Sequence, residues 1–205
     1  MPTPVPPPPE FGHPAPFGQT SPETLALLAR RRSSSPQTLA APAPSGAELQ
    51  TLLRLAARVP DHGKLFPWRF IILEGDAKTQ LAARYAALAK ERPDPEKASS
   101  VLFKLRTPPL AVVVVSRIVE GHIPSWEQLL SAGAACQTLV IAATAMGYGA
   151  NWITDWYSYD PRATALLRLE PNEQVAGVVL LGTPTEAPLE RVRPDVEAIT
   201  TVWEG

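Results

Sequence analysis

The chain has 205 residues, 45% hydrophobic and 19% charged, which is enough apolar material for one domain with a sizeable core. Its formal net charge of -1 excludes the basic surface expected of a nucleic-acid binder. The lone Cys136 excludes an intramolecular disulfide framework. With no run of bilayer length and no leader-like N-terminus recognised, a soluble cytoplasmic protein without a membrane partner is expected.

Residues 1–20, MPTPVPPPPEFGHPAPFGQT, form a separate compositional region. Proline fixes φ and donates no backbone hydrogen bond, so this arm is expected to be extended or disordered. A single domain is expected over 21–205.

In chain order, Ser21-Pro22 suits the cap and first position of a helix whose apolar face is Leu25, Leu28 and Ala29. Ser45 and Glu48 have capping-box spacing ahead of a helix carrying Leu49, Leu52, Leu53 and Ala56. Phe70 to Leu73 reads as a strand, and 76–90 as a helix. A further helix follows Pro93-Asp94-Pro95 and ends at Pro108-Pro109. Leu110 to Ser116, LAVVVVS, is a strand buried on both faces. Trp126 to Met146 is the longest helix; its second half is apolar on nearly every side and is expected to be fully buried. ANWIT is a short extended segment, Asp160-Pro161 opens another helix, and QVAGVVLLG is a final strand stopped at Gly182-Thr183-Pro184. Helices alternating with strands give an α+β layout.

Several familiar sites are absent from the sequence. There is no G-x-x-x-x-G-K-[ST] loop, no G-x-G-x-x-G after a strand and no G-x-S-x-G elbow. The two histidines beyond the arm, His62 and His122, form no metal-ligand spacing with Cys136, which reads as a small core residue. Cations and aromatics remain. Arg30-Arg31-Arg32 precedes Ser33-Ser34-Ser35, and such a cluster either complements a helix C-terminus or holds an anion. Arg58, His62 and Lys64 form a second basic group beside Trp68. Trp152 and Trp156 flank Ile153-Thr154-Asp155.

LLARRRSSS, PSGAELQTLLRLAARVPDHGKLFPWRFIILEG, PSWEQLLSAGAACQTLVIAATAMGYGANWIT and VAGVVLLGTP occur in this order between about residues 22 and 185. Together they resemble the nitroreductase family of FMN enzymes, and most of all its short bacterial NAD(P)H nitroreductases. The resemblance implies a mixed sheet surrounded by helices, in an intertwined homodimer with FMN at the interface. It places Arg31, Arg32 and Ser33 at the FMN phosphate and ribityl chain. Arg58 and His62 would reach the flavin from the partner subunit, and Trp152, Ile153 and Thr154 would line the ring. It implies NAD(P)H as co-substrate and a small acceptor such as a nitroaromatic or quinone. The hydride travels through flavin N5, so no catalytic protein nucleophile and no metal are expected. A neutral His62 could donate one hydrogen bond to the flavin, and its protonated form could stabilise negative charge.

The chain departs from the family pattern in three places. Ser35 stands where many members have a basic residue. Two extra residues separate Ser33 from PAPSG. Asp-His-Gly-Lys replaces Ser/Asn/Gln-type residues in the flavin loop. These departures motivate an alternative reading, a non-redox dimeric binding protein that uses the same pocket for FMN or another anion.

Overall fold

The computed structural model describes residues 5–15 and 18–205. The described part of the proline-rich arm contains no helix or strand; its remaining residues, 1–4 and 16–17, lie outside the described ones. Among the described residues five strands form one sheet: β1 (Leu39–Ala40), β2 (Trp68–Glu74), β3 (Leu110–Arg117), β4 (Gly149–Ile153) and β5 (Glu173–Pro184). Seven α-helices among the same residues surround it: α1 (Pro22–Arg30), α2 (Gly46–Ala56), α3 (Gly75–Ala89), α4 (Pro95–Ser100), α5 (Phe103–Arg106), α6 (Ser125–Ala145) and α7 (Pro161–Ala165).

β3 pairs with β2 on one side and β5 on the other, β4 pairs with β5, and β1 joins the C-terminal end of β5. Every one of these pairings is antiparallel, so the sheet within one chain is antiparallel rather than mixed. The α+β class holds.

Alternation along the two central strands builds two cores. Ala111, Val113, Val115, Val178 and Leu180 face one side, where they meet Leu81 and Tyr85 of α3 and Leu105 of α5. Leu110, Val112, Val114, Val179 and Leu181 face the other, against Leu52 of α2 and Ala135, Cys136 and Leu139 of α6. An antiparallel sheet often leaves one face to water. Here helices cover both, which is why β3 is a continuous apolar run. A bulge between Val114 and Val115 makes Ala176 the extra residue of β5.

Several local expectations change. In α1, Ser21 caps as expected, accepting from the Thr24 N–H. Yet Leu25 and Leu28 are exposed, and it is Ala26 and Leu27 that turn inward. The capping box at Ser45 does not form, because Glu48 accepts a 2.8 Å bond from the Tyr148 hydroxyl instead. The single helix expected before Pro108 is two, α4 and α5, broken at residues 101–102. Lys78 of α3 closes that region by donating to the carbonyls of Leu105, Arg106 and Pro108. The final strand runs two residues past Gly182, through Pro184.

α6 departs most from expectation. It is long and apolar enough to cross a membrane by length and composition, but its window is 50% buried within the protein. Ala132, Ala135, Cys136, Leu139, Val140 and Ala143 pack on the sheet and α2. The other side is less covered: Trp126, Leu129 and Leu130 are exposed in its first turns, and Gly133, Ala134, Gln137, Thr138 and Ile141 of its second half are half-buried rather than fully buried.

Candidate functional site

Around the end of α1 the chain builds a cleft of about 790 Å³. Arg30 and Arg31 supply one wall. Glu23, Ala26 and Leu27 of α1, Thr144, Gly147 and Tyr148 at the end of α6, Gly149 and Ala150 of β4, and residues 184–188 also line it. A second cavity of about 450 Å³ continues from it, sharing Arg32, Ser34 and Glu186 and adding Ser33 and Ser35.

α1 ends because Arg31 leaves helical geometry, with its N–H on the Leu27 carbonyl and ψ at 137°. The next residues run extended along β4. Ser34 is the staple: it is buried, its N–H donates to the Ala150 carbonyl at 3.0 Å, and its own carbonyl accepts from the Asn151 amide. Gly149 makes this approach feasible, since a Cβ there would sit 2.6 Å from Leu39 Cδ2 and 2.7 Å from Ser34 Oγ. Ser34, Asn151, Tyr148 and Gly149 were not legible as site residues. The triple serine and GYGAN were the only signals, and neither says which residues meet.

Arg31 and Arg32 differ in their bonding. Arg32 Nε donates to the Leu189 carbonyl at 2.9 Å and lies 3.6 Å from Glu190, so its charge is engaged by the chain's own C-terminal segment. Arg31 is half-buried and lines the cleft, and its side chain has no hydrogen bond or ion pair among the described residues. Ser33 lines the adjoining cavity.

The second basic group lies elsewhere. Arg58 is exposed just past α2 and unpaired among the described residues. His62 stands in a turn at 62–64 whose backbone is tightly specified. Both Asp61 carboxylate oxygens accept backbone N–H bonds, from Leu65 at 3.1 Å and Phe66 at 2.9 Å. The Ser131 hydroxyl donates to the Pro60 carbonyl. His62 Nδ1 lies 2.8 Å from Glu127 Oε2 on the first turns of α6. A carboxylate can only accept, so the proton sits on Nδ1 and the neutral ring presents a lone pair at Nε2. The hydrogen bond expected of a neutral His62 toward the flavin is therefore available only from the protonated ring.

In the third segment, Trp152 lies on the α6 side of the sheet and is partly exposed. Its indole crosses β5 at Gly177, where a Cβ would lie only 1.9 Å from Nε1, and reaches toward Gly133 of α6. Ile153 turns to the opposite core, as alternation requires, and Thr154 is exposed. Cys136 is fully buried, and burial pushes its thiol up to about 12, as expected of an inert core residue.

One chain thus groups Arg31, Arg32 and Ser33 at the C-terminal end of α6, and sets His62 at its N-terminal end. Glu127 and Thr144, which mark the two ends, are separated by about 25 Å of helix at 1.5 Å per residue. No cleft within the chain contains both groups among the described residues.

Fold and cleft place the chain in a class that comparison with known proteins defines. Residues 28–183 match the nitroreductase family, and the chain belongs to that family of oxidoreductases. It is 35% identical over 167 residues to the Escherichia coli (strain K12) protein named "Putative NAD(P)H nitroreductase YdjA", covering 79% of this chain and 88% of that one. A Haemophilus influenzae protein named "Putative NAD(P)H nitroreductase" is 32% identical, covering 80% and 90%. Among solved structures, a nitroreductase-like family protein from Bacillus cereus superposes with a TM-score of 0.78 at 21% identity, covering 92% of this chain and all 100% of that one. A nitroreductase with bound FMN from Bacteroides fragilis superposes with a TM-score of 0.72 at 21% identity, covering 90% and 100%. These two structures share the fold.

Proposed function

We propose that the chain is an FMN-dependent oxidoreductase of the cytoplasm that uses NAD(P)H to reduce small acceptors such as nitroaromatics or quinones. Its working form would be a homodimer in which each site takes residues from both chains. The carrying observation is the separation of the two basic groups at opposite ends of α6. A two-fold axis near the middle of α6 would set the His62 end of one chain over the Arg31 end of the other. The open face of α6 and exposed Leu25, Leu28, Leu189, Val192 and Val196 supply the apolar surface such an assembly would cover.

The donor set fits FMN. The phosphate needs an uncommitted cation and hydroxyls beside it, which Arg31 and Ser33 supply, with Arg32 flanking. The flat ring needs an aromatic or apolar wall, and Trp152 offers one on the α6 side, with Ile153 and Thr154 completing the segment. Arg58 and His62 of the partner subunit would add positive charge to the ring's oxygen-bearing edge. When bound, FMN supplies hydride transfer through N5, which no protein side chain provides. One cleft used in turn by NAD(P)H and acceptor needs no separate dinucleotide fold.

Purified protein should be yellow, and NAD(P)H should bleach it under anaerobic conditions. A colourless chain that takes up no added FMN would overturn this reading. Mixing Arg31→Ala chains with His62→Ala chains tests the shared site. The hybrid dimer should hold one doubly impaired site and one intact site. Two equally impaired sites would place both residues in one chain's cleft.

A further inference from the structure

We propose that Glu127 is a positioning residue that, with His62, forms a carboxylate–imidazole dyad delivering a proton to the electron acceptor. The inference rests on the oxidoreductase reading above and adds the proton's source to it.

The loop carrying His62 is more constrained than a solvated turn requires. Gly63 takes φ +78°, and two non-glycine residues nearby are also left-handed, Lys64 at +56° and Phe66 at +49°. Such residues are strained and persist only where surrounding contacts hold them. Those contacts are the Asp61 bonds to Leu65 and Phe66 and the Ser131 clamp on Pro60. Ile123 packs at Gly63, where a Cβ would come within 3.2 Å of its Cδ1. Gln128 holds that neighbouring segment by accepting from the Val119 N–H and donating to the carbonyls of Val119 and Ile123. The result is a histidine fixed by α6 while its side chain stays 64% exposed.

Glu127 sets which nitrogen faces outward. With Nδ1–H on the carboxylate at 2.8 Å, Nε2 is the free atom. A cavity of about 330 Å³ is bounded by this pair together with Pro60, Leu130, Ser131 and Ala134. The Ser131 hydroxyl is spent on Pro60, so the rest of the lining is apolar. That combination suits a flat aromatic acceptor with a single oxygen at its edge, such as a quinone carbonyl. The charged groups adjacent to His62 in sequence are Arg58 past the end of α2 and Asp61 and Lys64 in its own loop. Among the described residues only Glu127 is bonded to it.

The chemistry balances. Two-electron reduction of a quinone to a hydroquinone consumes one hydride and one proton, which end as the hydrogens of its two hydroxyls while the ring becomes aromatic. NAD(P)H is the ultimate source of the hydride. The protonated His62 ring supplies the proton: its Nε2–H bond breaks, the acceptor O–H bond forms, and the ring becomes neutral with its remaining proton on Nδ1. Solvent, which reaches the ring, restores the Nε2 proton. Glu127 keeps the Nδ1 bond throughout and fixes the ring's orientation and tautomer.

The test uses the full chain with ¹⁵N-labelled histidine, with and without added FMN, and His62→Gln assigns the signal. The wild-type neutral ring should carry its proton on Nδ1. In Glu127→Ala it should move to Nε2, and Glu127→Asp should restore it at least partly. In anaerobic half-reactions, Glu127→Ala should slow reduction of a benzoquinone on the order of 100-fold. Reduction of ferricyanide, which takes electrons without a proton, should fall at least tenfold less. A wild-type ring protonated on Nε2, or equal losses with both acceptors, would overturn the proposal. A tautomer switch in a chain that takes up no FMN would overturn the proton-donor role by removing the function beneath it, while leaving the dyad's geometry standing.

Discussion

Cations in the closed body of this protein and cations at its open end are used differently. In the body the buried and half-buried ones have partners. Arg69 of β2 reaches across the sheet to Glu173 with two bonds, at 2.6 and 2.7 Å. Arg92 pairs with Asp160 and sits 4.8 Å over the Trp156 ring. Lys104 pairs with Asp155, and Lys78 is buried against three carbonyls, with burial lowering its pKa. At the open end, Arg31 and Arg58 are unpaired among the described residues. The same contrast appears along α6, with one face packed and the other exposed in its first turns. A cation fixed on its own chain contributes to the fold; one left free beside a cleft is available to a ligand.

Substitutions that separate the two regions should differ in kind. The largest expected effect is in the packed face of α6. Leu139→Ala deletes a fully buried side chain and should cost about 2–5 kcal/mol of unfolding free energy by denaturant titration. Leu130→Ala on the open face should leave the fold's own stability nearly unchanged and instead weaken self-association in sedimentation.

Next comes the free cation. Arg31→Ala should preserve the melting temperature yet weaken FMN binding on the order of 10- to 100-fold, the worth of a charge-assisted bond of about 1.5–3 kcal/mol. Riboflavin, which lacks the phosphate, should lose much less. Equal losses in fluorescence titrations of the two would place Arg31 away from the phosphate.

The matched cations predict a pH effect in the body. The Arg69 guanidinium holds the Glu173 carboxyl below its ordinary range. A depressed folded-state pKa gives stability that is present above the unfolded pKa and is lost as pH falls through the folded one. Glu173→Gln should therefore destabilise by about 1–3 kcal/mol at neutral pH and by progressively less in acid. Parallel pH–stability curves for variant and wild type would refute the pairing. The smallest effect is expected from deleting residues 1–20. The arm makes an exposed contact in which Arg54 donates to the Pro6 carbonyl, so the change should stay below about 1 kcal/mol, with FMN uptake retained.

What was legible in the sequence was local or periodic. Ser21-Pro22 placed the start of α1, and the run through Val112–Val115 placed β3, because capping and β-branching act on adjacent residues. α6 was found to within a residue or two, but not its open face. Its composition lacks a polar stripe, and periodicity cannot say which side of an apolar helix its own chain will cover. Ser45 and Glu48 had the spacing of a capping box, yet Tyr148, a hundred positions away, took the carboxylate. The His62–Glu127 pair and the Ser34 staple on β4 are likewise long-range meetings that no local pattern encodes. The grouping of Arg31, Arg32 and Ser33 followed from contiguity. The distance between that group and His62 is a property of α6's length in space.

Gly177 carries a consequence for anyone wishing to alter this protein. The backbone there lies directly beneath the Trp152 indole, and the neighbouring bulge at Ala176 fixes the strand's course. A single methyl group at position 177 would therefore act as a wedge, lifting the indole off β5 without touching any charged group. That makes the position a one-carbon control over where the Trp152 indole lies against β5 and α6.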